Sequence, residues 1–414
     1  MACRMLWLAA AVLTRSTSTS LFPNDQGAAY IFASSGGVWT QQQELTANNG
    51  PTYHYPRFGY SVGVYGDTAV IGAPNTKTGV AYIFVRNNNL WTQQQEITAS
   101  DGAASDSFGW SVAISKDTVV IGAPFKTVAS QPGQGAAYVF VRNGNKWQQQ
   151  QELKSTDGVP YDHFGWSVSV NENSAIIGAP TRGADRGAAY IFVRDNETWH
   201  QQQELTASAS YYLGTSVAIG GETAVMGALG TEIGSVAQGA AYVFVRNGDT
   251  WTQQQELTAS DGSLGDNFGN SVAISGDTTV IGAYFKGLNG QGSVGAAYVF
   301  FRSGGVWTQQ QELTASDGAL EDFFGASVSI SGNNALIGAS NKTISPVDQV
   351  GAAYIFVRSG TQWTQRQEFT PPDGNLHDQF GNSVAISGGT AVVGAYERKV
   401  DSNAQEGSVY VFVH

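Results

Sequence analysis

Residues 108–124 read FGWSVAISKDTVVIGAP, and the spacing inside that stretch decides the fold. A Phe-Gly step is followed thirteen residues later by Gly-Ala, and the pair recurs seven times: Gly59 to Gly72, Gly109 to Gly122, Gly165 to Gly178, Gly214 to Gly227, Gly269 to Gly282, Gly325 to Gly338 and Gly381 to Gly394. Only the fourth copy departs at the aromatic, where Leu213 replaces Phe. Copies set 49 to 56 residues apart lie in the range where one supersecondary unit recurs and stacks on its neighbours to complete a core.

Each copy contains the same four strand-length segments. In the third they are Ser167 to Val170, Ser174 to Ala179, Gly187 to Arg194 (GAAYIFVR) and Trp199 to Thr206 (WHQQQELT). They are rich in β-branched and aromatic residues, bounded by turn signals such as Asn171-Glu172-Asn173, and no helical period runs through them. Side-chain size orders the strands radially. In the first strand, small Ser111, Ala113 and Ser115 alternate with Val112 and Ile114, which suits a crowded centre. The third strand is apolar on both faces, as expected between two sheets, and the fourth is rich in Gln and Glu, which discourages edge pairing. Four-stranded antiparallel units repeated seven times around an axis make an all-β, seven-bladed β-propeller.

Counting segments shows how the ring closes. The Phe-Gly unit and the Trp-Gln strand (Trp39, Trp91, Trp147, Trp199, Trp251, Trp307, Trp363) occur seven times, but the tyrosine strand occurs eight, from Tyr30 to Tyr410. Six blades are therefore continuous, and N- and C-terminal strands share the seventh. The simplest partition gives three inner strands to the C-terminal segment and Trp39 to Thr46 as the outer one. One tyrosine strand, at Tyr30 or at Tyr410, is then surplus. Residues 27–414 read as a single propeller domain, whether complete or part of a longer array.

Composition narrows the partners. With 21 basic and 33 acidic side chains the net charge is −12, which argues against nucleic acid and anionic membrane surfaces. No run approaches the roughly 20 apolar residues needed to cross a bilayer, so membrane insertion is not expected. Cys3, the one cysteine, rules out an internal disulfide and leaves the redox compartment unread. Arg4 precedes a short apolar run, Leu6 to Leu13, and then Ser/Thr-rich Thr14 to Ser20; residues 1–20 read as a signal peptide or as an N-terminal tail. Sequons at Asn196-Glu197-Thr198 and Asn341-Lys342-Thr343 fit secretion.

Phe108-Gly109 with Gly122-Ala123-Pro124 resembles the FG-GAP repeat of the integrin α-subunit propeller and its extracellular relatives, and Trp251 to Gly262 resembles the W-T-Q-Q-x-x-L-T-A-S-D-G form. The resemblance covers nearly everything from Gly27 to His414, and it implies a seven-bladed propeller outside the cell that serves adhesion or ligand binding. It breaks at calcium. Integrin-type propellers carry D-x-D-x-D-G loops between first and second strands in some blades, because Ca²⁺ needs six to eight oxygens. Here the connection is a tight turn such as Ser275-Gly276-Asp277-Thr278 with at most one carboxylate, so no metal or other cofactor is expected.

Loop lengths point to one face. The inner hairpin spacing and the nine-residue spacing from the tyrosine to the tryptophan never change. The second-to-third turn (4, 10, 6, 9, 10, 10 and 10 residues) and the passage from tryptophan to the next motif (19, 17, 17, 14, 17, 17 and 17) both vary. Both lie on the other face, which is where a ligand site is expected. Candidate contacts there are Tyr53, His54 and Tyr55 in the longest inter-blade turn. Tyr60, Trp110 and Trp166 follow the motif Gly in three successive blades, where Thr215, Asn270, Ala326 and Asn382 stand in the others; they read as an aromatic platform or as packing between blades. Lys126, Arg182, Lys286 and Arg398 read as contact residues that do not recur. Asp106, Asp162, Asp266, Asp322 and Asp378, each two residues before the motif Phe, read as turn-forming rather than cation-binding.

Five histidines, His54, His163, His200, His377 and His414, lack metal-ligand spacing, and no nucleophile motif or phosphate loop occurs. The expectation is a monomeric, non-enzymatic, extracellular or cell-surface propeller that binds a protein or glycan ligand through its variable face. A lectin is one alternative, and a polysaccharide lyase or hydrolase is another.

Overall fold

The structure, a computed structural model, describes residues 27–47, 56–288, 290–347 and 349–398. It is a seven-bladed β-propeller of four-stranded antiparallel sheets. The third blade shows the pattern: Ser167–Asn171, Ser174–Ala179, Ala188–Asp195 and Thr198–Leu205 lie in sequence order from the axis outward. Blades are numbered here by their motif copy. Outside the blades, the described residues include a two-stranded hairpin, Glu232–Ile233 with Val236–Ala237, and a short left-handed turn at Arg182–Asp185, where Gly183, Ala184 and Asp185 have positive φ.

The closing blade corrects the sequence-based partition. Its inner strands, Ser383–Ser387 and Thr390–Ala395, come from the C-terminal side, and its outer two, Ala28–Ser35 and Val38–Leu45, come from the N-terminal side. The division is two and two, not three and one. Tyr30 occupies the tyrosine position opposite Val393, while Tyr410 lies outside the described residues. The reason is local: Ala28–Ser35 and Val38–Leu45 are joined by the two-residue turn Gly36-Gly37 and enter as a preformed hairpin, at little loop-closure cost.

The motif glycines are where adjacent blades touch. In every blade the Gly of Gly-Ala faces the carbonyl of the next blade's Phe-Gly glycine; a Cβ on Gly122 would stand 1.9 Å from Gly165 O. Gly165 itself sits at φ +92, and a Cβ there would meet Ala136 O at 2.3 Å. The first-strand serine completes the joint in six blades, as when Ser111 Oγ donates to Gly165 O at 2.9 Å. Behind it, the motif Phe anchors the core. Phe164 packs against Tyr190 and Phe192 at ring distances of 5.4 and 5.9 Å. The closing blade makes the same contact across its seam, with Phe380 5.2 Å from Tyr30. Seven apolar clusters result, each built from two neighbouring blades, so a blade has no complete core of its own.

The outer strands do more than blunt an edge. The Gln four residues after each Trp reaches the next blade and forms two hydrogen bonds to that blade's Trp backbone. Gln203 Nε2 donates to Trp251 O at 2.8 Å, and Trp251 N donates to Gln203 Oε1 at 2.8 Å. The pairing runs round all seven blades and crosses the seam at Gln367 and Trp39. The Gln one residue earlier sits on a β-bulge. In five blades it accepts the next indole Nε1–H, as Gln202 does from Trp251 at 3.1 Å. Replacing Gln203 with Ala leaves the Trp251 backbone groups without these partners. The expected loss is about 2 kcal/mol, read as a lower urea midpoint with an unchanged m-value; an unchanged midpoint would show that the belt holds nothing.

On the invariant face the 1–2 turns are locked by arginines from the third strand. Asp277 Oδ1 accepts from Arg302 Nε at 2.7 Å, so its carboxylate is already engaged.

Candidate binding face

At the inner end of each blade, the residue after the motif Gly rims the axis on the variable face. In three neighbouring blades that residue is aromatic, and the rings touch. Tyr60 and Trp110 centroids are 4.8 Å apart at 49°, and Trp110 and Trp166 are 4.8 Å apart at 51°. The three rings pack between blades and form a continuous, partly exposed arc. Phe125 stands edge-on to Trp110 at 5.2 Å, and Tyr396 edge-on to Tyr60 at 5.4 Å with the Arg57 guanidinium over its outer face.

His163 closes the arc, 5.2 Å from Phe125 and 6.0 Å from Trp166. Its Nδ1 lies 2.8 Å from Thr181 Oγ1, and that hydroxyl gives its own proton to Tyr161 O at 2.6 Å. Nδ1 must then carry the ring proton, which leaves Nε2 as an acceptor. Burial pushes the His163 pKa down, partly offset by Asp185, so the ring is neutral at neutral pH. No carboxylate bonds to it among the described residues.

The rest of the rim is polar and small. Asn382 Nδ2 donates to Tyr60 O at 3.2 Å, Asn270 Nδ2 to Ala326 O at 2.9 Å, and Thr215 Oγ1 to Tyr212 O at 2.7 Å. Each asparagine thus spends one amide N–H on holding the rim, and its Oδ1 accepts no hydrogen bond among the described residues. A second aromatic group, Tyr284, Phe285 and Phe323, stands on the fifth and sixth blades with centroids 4.1 to 5.8 Å apart.

The four cations proposed as free contacts are corrected by the structure. Lys126, Lys286 and Arg398 are buried, Arg182 is mostly so, and all four recur: each lies four residues after the Gly of Gly-Ala, as does Lys342. Each pairs with the aspartate twenty residues earlier, and the Asp106, Asp162, Asp266, Asp322 and Asp378 carboxylates are within 3.0 to 3.5 Å. The same carboxylates accept a backbone N–H three residues back, as Asp266 does from Ser263 at 2.7 Å, which is the turn role read from sequence. A second aspartate from the crossing loop completes the node. Lys286 Nζ is 3.0 Å from Asp261, whose Oδ1 accepts from Tyr298 OH at 2.9 Å. Burial raises the Asp261 pKa, but the bonds from Lys286 and Tyr298 outweigh it and the net direction is downward. Where the aspartate is absent, at Pro56 and Tyr211, the cation position holds Thr76 and Thr231. That covariation between repeats was legible in the sequence once copies were aligned on the motif Gly. These nodes pin the crossing loops to the next blade; they are scaffold.

Tyr53, His54 and Tyr55 lie outside the described residues. Among the described residues no group of three or more His, Cys, Asp or Glu side chains is placed to hold a metal ion, and no helix is long and apolar enough to cross a membrane. A shallow cleft of about 300 Å³ lined by Phe301, Gln310 and Arg358 opens on the invariant face. Arg358 is already tied to Asn333 and Thr278 there.

A search of curated proteins finds no match. Among solved structures, the crystal structure of the Saccharomyces cerevisiae Sqt1 is similar over 82% of this chain and 96% of that one, at 10% identity and a TM-score of 0.43, too distant for any argument. The model of the FG-GAP repeat matches residues 39–84, 91–140, 147–192, 199–244, 251–300, 307–356 and 363–412. Each match starts at the Trp strand, and the first six end in the tyrosine strand of the following blade, so the repeat straddles the blade boundary that the glycines and glutamines hold together; the seventh runs on to residue 412, outside the described residues. With seven matches covering most of its length, the chain belongs to the FG-GAP repeat family.

Proposed function

We propose that the protein is a non-enzymatic binding module of the extracellular space or cell surface, acting as a monomer, which takes a protein or glycan ligand on its variable face. The aromatic arc of Tyr60, Trp110 and Trp166 carries this reading. An aromatic surface left partly open at the axis favours the apolar face of a sugar ring, and the neighbouring Asn382 carbonyl and His163 Nε2 are acceptors for hydroxyl groups. That combination favours a glycan over a flat protein surface.

Glycan-array binding by the wild-type protein is the test. Trp110→Ala and Trp166→Ala are each expected to weaken a bound glycan at least tenfold. No binder on the array, or binding indifferent to both changes, removes the glycan reading. Polysaccharide cleavage abolished by His163→Ala would replace it with an enzyme. Secretion of the full chain, with N-terminal sequencing of the product, tests the extracellular setting.

A further inference from the structure

Away from the arc, three leucines stand in water at one repeated position. Leu264, Leu320 and Leu376 are 76%, 59% and 47% exposed and occur in the fifth, sixth and seventh blades, four residues before the motif Phe. Each sits at the tip of a turn closed in both directions. Asp266 N donates to Ser263 O at 3.2 Å while Ser263 N donates to Asp266 Oδ2 at 2.7 Å, and Asp322 and Asp378 repeat the pattern. The buried cation beneath fixes the turn to its blade. Leucine contributes nothing to this geometry, since the second and third blades form the same turn with Ala104 and Pro160 at the tip. Scattered exposed leucines need no explanation, but three on successive blades, each on a rigid support, form an ordered apolar crown.

The ground around the tips is acidic. Each node sets two aspartates, and at Arg398 also Glu44, against one cation, so every node is net negative, and the outer members Asp261, Asp317 and Asp373 are 46%, 45% and 61% exposed. Glu321 adds another exposed carboxylate, and the crossing loops 258–268, 314–324 and 370–380 contain no Lys or Arg. We propose that this crown is a docking site for a cationic amphipathic segment of another protein, whose apolar side chains cover the leucines while its lysines or arginines meet the aspartates. Charge complementarity selects that occupant: a second copy of this chain, or an anionic lipid surface, would bring like charges together.

The test is fluorescence anisotropy with a labelled peptide of alternating leucine and lysine, together with leucine–glutamate and serine–lysine counterparts. The leucine–lysine peptide is expected to bind, more weakly as salt rises, and at least tenfold more weakly to L264S/L320S/L376S; the counterparts are expected not to bind. The three changes are at exposed tips, so an unchanged thermal midpoint confirms that the variant is folded. Equal binding to the triple variant, equal binding of the leucine–glutamate peptide, or no binding at all overturns the proposal. A wild-type dimer in sedimentation velocity that the triple variant lacks overturns it in favour of self-association.

Discussion

Gly122→Ala is expected to destabilise the protein by about 3 kcal/mol, among the largest effects of any single methyl group added to the chain. The new Cβ would lie 1.9 Å from Gly165 O and 2.3 Å from Ser111 Oγ, and the first of these is backbone of the neighbouring blade. No rotamer relieves that contact. The third blade must move outward, and its move opens the core in which Val120, Val139 and Leu153 of the second blade pack with Phe164 and Tyr190 of the third. Gly144→Ala provides the comparison. It sits at φ +62 with nothing within 4 Å of a new Cβ, so it carries only the left-handed backbone penalty of about 1 kcal/mol. Equilibrium urea unfolding of the two variants separates a steric joint between blades from ordinary backbone strain. If Gly122→Ala cost no more than Gly144→Ala, the joint would not be the feature that spaces the blades.

Lys286→Met is expected to match it. The ammonium is 6% exposed and lies between Asp266, which is 5% exposed, and Asp261. Removing it leaves a buried carboxylate with no counter-charge, for which the expected loss is about 3 kcal/mol at neutral pH. Asp266→Asn combined with Lys286→Met should recover a good part of this, because the stranded charge is gone. Sequence already contains the uncharged solution at Thr76 and Thr231. The pH dependence has a definite sign. The folded-state pKa of Asp261 is held below its ordinary value of 3.8, so its stabilising contribution is full above that value and is lost as pH falls through the folded pKa. The gap between wild type and Lys286→Met should therefore close on acidification. A gap that stayed constant down to low pH would mean that the lysine acts through its packing alone.

The two predictions mark what could and could not be read from the chain. Gly109, Gly122 and Phe164 were legible as scaffold because they recur at a fixed spacing, and a joint repeated seven times leaves seven identical traces. Trp110 and Trp166 were legible as candidates because they break the repeat. Lys126 and Lys286 were misread, since the loops that follow them vary in length and hide the constancy of their own position. Gln203 was read as a polar edge because its partner, the Trp251 backbone, belongs to the next blade and leaves no signature at any fixed residue type. Leu264, Leu320 and Leu376 passed unnoticed because apolar residues near a turn carry no meaning until their exposure is known.

By itself, the sequence determined the architecture: seven four-stranded blades, a constant inner hairpin, one invariant and one variable face, and a ring closed by both ends of the chain. These follow from periodicity, which is a property of residue order alone. Only the tertiary structure decided which strands close the ring, that Tyr60, Trp110 and Trp166 meet at the axis, that the loop cations are buried partners of aspartates, and which apolar side chains stay in water. The physical reason is the same in each case. Every one of those outcomes depends on contacts between blades, and in a closed array the neighbour that satisfies or exposes a side chain lies about fifty residues away, or at the other end of the chain.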